Sequence, residues 1–290
     1  MSMRIAIYIA IIKKVLVKSS NRERTGNSFN SIAEEYDSVR PSYPSALVDD
    51  AISLADLPVD GRILEIGCGT GKASKLFAAK GYALECLDVG ADLAAVATEK
   101  LNDYKNVQVK VTSFEDWDSD RNLYDLVLAA ASFHWIDPQI RFTKSASILK
   151  QTGALALFSN SHVRKDEGFF SRVQDVYRIH APSMARIAKE RKKLWTEPVI
   201  GEDLFNEPLF RKYPWVAEYR AEEYITLLGT YSDHISLPED ERSKLFEEIT
   251  KLIQDEYAGV VQKHYKAVLT LRTVRPSKAA YSDTYGADAL

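Results

Sequence analysis

ILEIGCGTGK, Ile63 to Lys72, is a short apolar run that meets a glycine-rich turn and continues into a helix-forming stretch. A strand that enters a helix through such a turn offers backbone N–H groups and a helix N-terminus to a nucleotide-like ligand. The glycines are Gly67, Gly69 and Gly71, spaced G-x-G-x-G. A dinucleotide turn wants G-x-G-x-x-G, and here Lys72 stands where its third glycine belongs. The phosphate-loop pattern is also absent. Glu65, two residues before the first glycine, sets a carboxylate at the mouth of the turn. It would repel a pyrophosphate and attract a ligand carrying an ammonium and a sulfonium. S-adenosylmethionine, which has no phosphate, is the ligand that fits.

On either side of this turn, strand and helix patterns alternate. Pro44 to Leu57 carries a helical apolar stripe, and Pro58-Val59-Asp60-Gly61 ends it. Lys72 to Lys80 reads as a helix stopped by Gly81. Tyr82 to Leu87 reads as a strand, Ala91 to Leu101 as a helix and Val107 to Val111 as a third strand. Tyr124 to Ala131 is almost wholly apolar, the mark of a central strand covered on both faces. A helix over Ile140 to Leu149 and a fifth strand over Gly153 to Phe158 follow. This rhythm predicts right-handed crossovers and a doubly wound, mostly parallel α/β sheet. It then breaks: Phe169 to Trp195 reads as helix, Phe210 to Trp215 as a strand and Ala221 to Leu228 as a helix. Pro238 opens a long amphipathic helix, and Val261 to Val274 is a long strand, so the sheet resumes after a helical insertion.

The 290 residues suffice for one large domain or for a domain with an appended lobe. With 38 Lys and Arg against 41 Asp and Glu, the net charge of -3 offers no nucleic-acid footprint. Two cysteines, Cys68 and Cys86, make no disulfide framework and suit buried thiols in a cytoplasmic protein. The apolar run Ile5 to Ile12 is too short to span a bilayer, which needs about 20 residues. It reads either as an extra element or as an extension, and no membrane role is expected.

Asp88 ends the second strand, 21 residues after Gly67. A carboxylate there accepts hydrogen bonds from ribose hydroxyls in dinucleotide folds, and it equally suits the start of the helix at Ala91. SFEDW, Ser113 to Trp117, leaves the third strand at the height of an adenine. The backbone of Phe114 and the side chain of Glu115 are placed to read the adenine edge, while Glu115 and Asp116 also fit plain turn chemistry.

ILEIGCGTGK, Asp88, SFEDW and YDLVLAAASFHWID, in this order and spacing, resemble the Rossmann-like S-adenosylmethionine-dependent methyltransferases. The nearest resemblance is to the small-molecule group that includes trans-aconitate methyltransferase, which FNSIAEEYDSVRPSYP and YITLLGTYSDHISLPEDER also resemble. The resemblance covers most of Phe29 to Val274. It implies a seven-stranded sheet, S-adenosylmethionine as cofactor and a small-molecule substrate. It also implies cofactor contacts from Gly67, Cys68, Gly69, Val89, Ser113 and Ala130, besides Glu65 and Asp88. YDSVRP, Tyr36 to Pro41, would form a lid helix, with Tyr36 closing over the methionine moiety and Arg40 meeting a carboxylate. Alternatively Arg40 is a surface residue fixed by the proline after it.

FHWID, Phe133 to Asp137, follows the fourth strand and should border the reacting methyl, because ligands lie beyond the carboxyl ends of the strands. Phe133 and Trp135 would shape the pocket or pack under the next helix. His134 is the candidate catalytic base, although the resembling enzymes vary there, Gln included, which favours binding over proton transfer. No metal cluster is expected.

These features divide the chain into an N-terminal extension (1–28), a cofactor-binding core (29–160), a helical cap insertion after the fifth strand (161–208), a return to the sheet (209–275) and a tail (276–290). The expected function is methyl transfer to a small molecule, with a carboxylate as one acceptor. The rivals are a methyltransferase of RNA or protein, using the basic run Arg186, Lys189, Arg191, Lys192 and Lys193, and a non-catalytic cofactor-binding protein.

Overall fold

The computed structural model describes residues 33–118, 120–163, 167–187 and 200–276. The apolar run 5–12, the lysines and arginine of 189–193 and the tail 277–290 lie outside the described residues.

Seven strands form one sheet in the order β3-β2-β1-β4-β5-β7-β6. They are β1 (Arg62–Ile66), β2 (Ala83–Asp88), β3 (Val107–Val111), β4 (Tyr124–Ala130), β5 (Leu149–His162), β6 (Leu209–Arg220) and β7 (Val260–Thr273). The first five run parallel, and β7 lies antiparallel between β5 and β6. The helices are α1 (Ala33–Val39), α2 (Ser45–Leu54), α3 (Lys72–Ala78), α4 (Ala91–Leu101), α5 (Arg141–Ile148), α6 (Phe169–His180), α7 (Ala221–Gly229), α8 (Ser232–Ile235) and α9 (Glu239–Glu256). β6 runs on to Arg220, past the expected Trp215, and β5 passes its sequence expectation at both ends. β5 starts at Leu149, paired with Tyr124, and runs to His162, paired with Tyr265. The polar residues Ser159 to His162 are held there by the β7 ladder and not by their own propensity. The helix expected over Phe169 to Trp195 is interrupted after His180, because Pro182 removes an N–H and disfavours helical backbone at Ala181, whose φ is −139°; helical backbone resumes over 183–187, and 188–195 lie outside the described residues.

Strand alternation divides the sheet's residues between two cores. Ile63, Leu126, Leu128, Ala156 and Leu269 face α2 and α3. Leu64, Ile66, Val127, Leu155 and Phe142 build the opposite core beside α5. A third cluster lies beyond the carboxyl ends of the strands. There Phe169 and Val173 of α6 meet Tyr224 and Leu227 of α7 and Leu245 and Ile249 of α9. This third cluster therefore draws on two chain segments, one after β5 and one between β6 and β7. The two helices expected within the return to the sheet, α7 and α9, pack against α6 there.

Candidate active site

The site begins where β1 stops. Gly67, Gly69 and Gly71 all have left-handed backbone, with φ of 66°, 56° and 76°. The Cys68 N–H donates to the Leu87 carbonyl at 2.9 Å and the Gly71 N–H to the Cys68 carbonyl at 2.9 Å, which closes the turn onto β2. Asp88, at the end of β2, clasps it from the other side. Its Oδ2 accepts from the Gly69 N–H at 2.7 Å and its Oδ1 from the Gly90 N–H at 2.8 Å, just before α4. Asp88 is 7% exposed. Burial raises its pKa against the lowering by these backbone hydrogen bonds.

Asp88 thus does part of what a helix-start acid does while still facing the cavity. A carboxylate has about four acceptor positions, so the Gly69 and Gly90 amides do not saturate it. Asp88→Ala strips both amides of their acceptor and is expected to cost roughly 2 kcal/mol of stability, with cofactor affinity falling tenfold or more. Asp88→Asn should lose less of both. Urea unfolding with calorimetry checks this, and unchanged stability in the alanine variant would mean that water satisfies both amides.

Glu65 is in a different place from the one its charge suggested. It is on the same face of β1 as Ile63, is 0% exposed and does not line the cavity. Its Oε2 accepts from the Ser74 hydroxyl of α3, while its Oε1 is buried with no hydrogen-bond partner. Burial pushes its pKa up to about 8, with Ser74 opposing and Asp88 adding to the rise. The direct pull of this carboxylate on a ligand in the turn is therefore corrected: at neutral pH the group is mostly protonated. Cys68 is buried too, and it meets the turn through its backbone.

A cavity of about 1710 Å³ runs from the glycine turn to the cap. Gly67, Gly69, Asp88, Val89 and Ala130 line one end, with Ser113, Phe114 and Glu115 beside them. Ser113 Oγ donates to Asp116 at 2.7 Å and accepts from the Asp116 N–H at 2.9 Å, which is local turn chemistry. The Phe114 ring is buried and stacks on Trp117, with centroids 6.2 Å apart. Glu115 Oε1 accepts from the Asp137 N–H at 2.9 Å, tying the loop after β3 to the loop after β4. On that second loop His134 and Trp135 both line the cavity, their rings 4.8 Å apart, whereas Phe133 packs edge-on against Phe142 at 5.0 Å.

Tyr36 of α1 and Arg40, just past its end, line the cavity. Arg40 donates from Nε to Thr230 Oγ1 at 2.8 Å and from Nη2 to the Thr230 carbonyl at 2.5 Å, while its guanidinium lies 4.4 Å from the Tyr231 ring. Two of its donor nitrogens thus serve to fasten α1 to the end of α7. Arg40 is therefore not a free surface residue, and its guanidinium still lines the cavity, where the expected contact with a carboxylate would be made.

Sequence reasoning missed the side of the cavity lined by α6, α8 and β7. Tyr177 OH lies 2.6 Å from His234 Nε2, and His234 Nδ1 lies 2.9 Å from Asp233 Oδ1. The carboxylate sets Nδ1 as the donor, so Nε2 accepts from Tyr177, and the chain links α6 to α8. Lys263, on β7, projects among aromatic rings in the same cavity. Its signal was present in the sequence: Val261, Tyr265, Ala267, Leu269 and Leu271 share its inward phase, and a lysine breaks that series. Among the described residues no helix is long and apolar enough to cross a membrane, and no group of three His, Cys, Asp or Glu is placed to hold a metal ion.

Comparison with known proteins bears on the domain and its fold. Residues 63–153 match the model of a methyltransferase domain family. The chain is 26% identical over 231 residues to an uncharacterized methyltransferase-like protein of Schizosaccharomyces pombe, covering 78% of this chain and 85% of that one. It is 30% identical over 135 residues to a probable S-adenosylmethionine-dependent methyltransferase of Saccharomyces cerevisiae, covering 44% of this chain and 45% of that protein. A putative type II methyltransferase from Anaeromyxobacter dehalogenans shares the fold, with a TM-score of 0.55 at 20% identity over 82% of this chain and 99% of that one. Fold and glycine turn define the class, an α/β methyltransferase domain. Residues 63–153 carry a methyltransferase domain of the Rossmann-like, S-adenosylmethionine-dependent kind, and S-adenosylmethionine is its cofactor.

The residues present fit that cofactor. A Cβ at Gly69 would meet nothing within 4 Å, so the turn leaves an open cradle beside Asp88.

Proposed function

We propose that this enzyme methylates a small molecule held between the sheet and the helical cap. One observation carries the reading: a single cavity joins the glycine turn to an aromatic cap wall formed by Phe170, Tyr177, Tyr224, Tyr231 and Tyr265. Small-ligand sites commonly have volumes of about 300 to 1,000 Å³, so a cavity of about 1710 Å³ has room for cofactor and acceptor side by side. In this reading Gly67, Gly69 and Asp88 hold the cofactor, Phe114 and Glu115 border its base, and Tyr36 and Ala130 flank the methionine end. When bound, S-adenosylmethionine supplies a methyl group on a sulfonium that is already a good leaving group. The protein's part is to align the acceptor and keep water out, which can supply roughly 7 to 11 kcal/mol of the barrier. His134 faces the cavity as a binding residue and leans on Trp135.

Calorimetry with S-adenosylhomocysteine and with NAD tests the cofactor half. Binding of the first and silence for the second is expected, and the reverse would sink the reading. Radiolabelled S-adenosylmethionine incubated with a small-molecule metabolite extract and, separately, with RNA and protein tests the acceptor half. Label is expected in the first, and label confined to macromolecules would overturn it.

A further inference from the structure

Among the described residues Lys263 is a buried cation for which the fold supplies no anionic partner. It is 5% exposed. Its Nζ lies 5.4 Å from the Phe170 ring centre, 5.5 Å from Tyr224, 5.9 Å from Tyr231 and 5.7 Å from Tyr265. A buried ammonium ordinarily has a carboxylate partner. Among the described residues none pairs with Lys263, and Asp233, an acid lining the same cavity, is taken by His234. The remaining near charge is of the same sign: burial first, then the Arg40 guanidinium, lower the Lys263 pKa to about 8. Ring faces soften the cost of the cation but do not replace an anion. The position is also meaningful. Lys263 pairs with Ala217 near the carboxyl end of β6, and two residues further along β7 Tyr265 pairs with His162 at the carboxyl end of β5. That is the edge where open α/β sheets bind ligands.

We infer that Lys263, with Arg40 behind it, is the subsite for an anionic group of the methyl acceptor, a carboxylate or a phosphate. The inference rests on the small-molecule reading above and narrows it to acceptors with a negative charge. The aromatic walls around Lys263 exclude water, so the anion meets a desolvated ammonium and gains more than it would at an exposed lysine. The apo protein bears an unpaired buried charge, and the acceptor completes the pair. Lys263 acts here by binding, with no covalent step.

The test uses the full chain saturated with S-adenosylhomocysteine, titrated calorimetrically with succinate, benzoate and inorganic phosphate, and with succinamide and benzamide as neutral controls. At least one anion is expected to bind, and the amides are not. In Lys263→Met that affinity should fall tenfold or more, and Lys263→Arg should recover part of it. The affinity for S-adenosylhomocysteine should stay within twofold in both variants. A carboxylate response without a phosphate response, or the converse, names the group. Lys263→Met should also melt at a higher temperature than the wild type, because it removes an unpaired buried charge and keeps the packing; a lysine kept for structure alone would give the opposite sign. Failure of all three anions to bind, equal binding to Lys263→Met, or equal binding of the amides overturns the inference. A wild type that does not bind S-adenosylhomocysteine overturns the methyltransferase reading itself.

Discussion

Gly67→Ala is expected to destabilise the protein by roughly 3 to 5 kcal/mol, the sum of a left-handed residue, an overpacked contact and a disturbed hydrogen bond. Gly67 sits at φ 66°, and a Cβ built there would lie 2.5 Å from Ser132 Cβ and 3.0 Å from its Oγ. Ser132 has no easy retreat, since its hydroxyl donates to the Ile66 carbonyl at the end of β1. The clash therefore pushes apart the two loops that follow β1 and β4, the floor of the cavity. Gly69→Ala is the control. Its φ of 56° carries the left-handed cost of about 1 to 2 kcal/mol, yet its Cβ would enter empty space in the cavity. That variant should stay folded while its affinity for S-adenosylhomocysteine falls tenfold or more. Urea midpoints and calorimetry on both proteins separate the effects. Equal stability losses would mean that Gly67 and Gly69 serve only the backbone and that the cradle beside Gly69 holds nothing.

This contrast shows how far the sequence reached. The alternation of apolar strands and amphipathic helices reveals the sheet, because period-2 and period-3.6 patterns arise from backbone geometry alone. The glycine spacing and Asp88 are legible for the same reason, as positive φ and a strand-end acid leave marks in a linear string. What stays hidden depends on partners far along the chain. Arg40 is fastened to Thr230, 190 positions away, and nothing near YDSVRP announces it. The stripe of Leu245, Ile249, Leu252 and Ile253 shows that one face of α9 is buried, but not that α6 and α7 share its core. Glu65 is the instructive miss. Its charge suggested a ligand contact, while its place in the alternation with Ile63 already directed it toward α3 and Ser74. Phase along the strand decides which solvent a side chain meets, and that outweighs the attraction its charge would exert in the open.

The same burial makes Glu65→Gln a stabilising substitution at neutral pH. The folded Glu65 has a pKa of about 8, against about 4.5 for an ordinary Glu. Between those values the folded protein keeps a proton that the unfolded chain releases, so stability falls as pH rises. The loss reaches up to about 1.4 kcal/mol per pH unit, is absent below about pH 4.5 and is complete above about pH 8. By pH 7.5 it amounts to roughly 4 kcal/mol as an upper bound. Gln is never charged and can still accept from Ser74, though its amide N–H groups inherit the unpaired surroundings of Oε1 at a cost of about 1 to 2 kcal/mol. The variant should therefore be more stable than the parent by roughly 2 to 3 kcal/mol at pH 7.5 and no more stable at pH 4.5. Urea midpoints taken from pH 4.5 to 8.5 for both proteins check the sign, and their difference cancels groups such as Asp88 that titrate in each. Because Glu65 does not line the cavity, Glu65→Gln should fold more strongly with little change in S-adenosylhomocysteine affinity. If the two proteins show one parallel pH profile, Glu65 is an ionised core residue with a normal pKa.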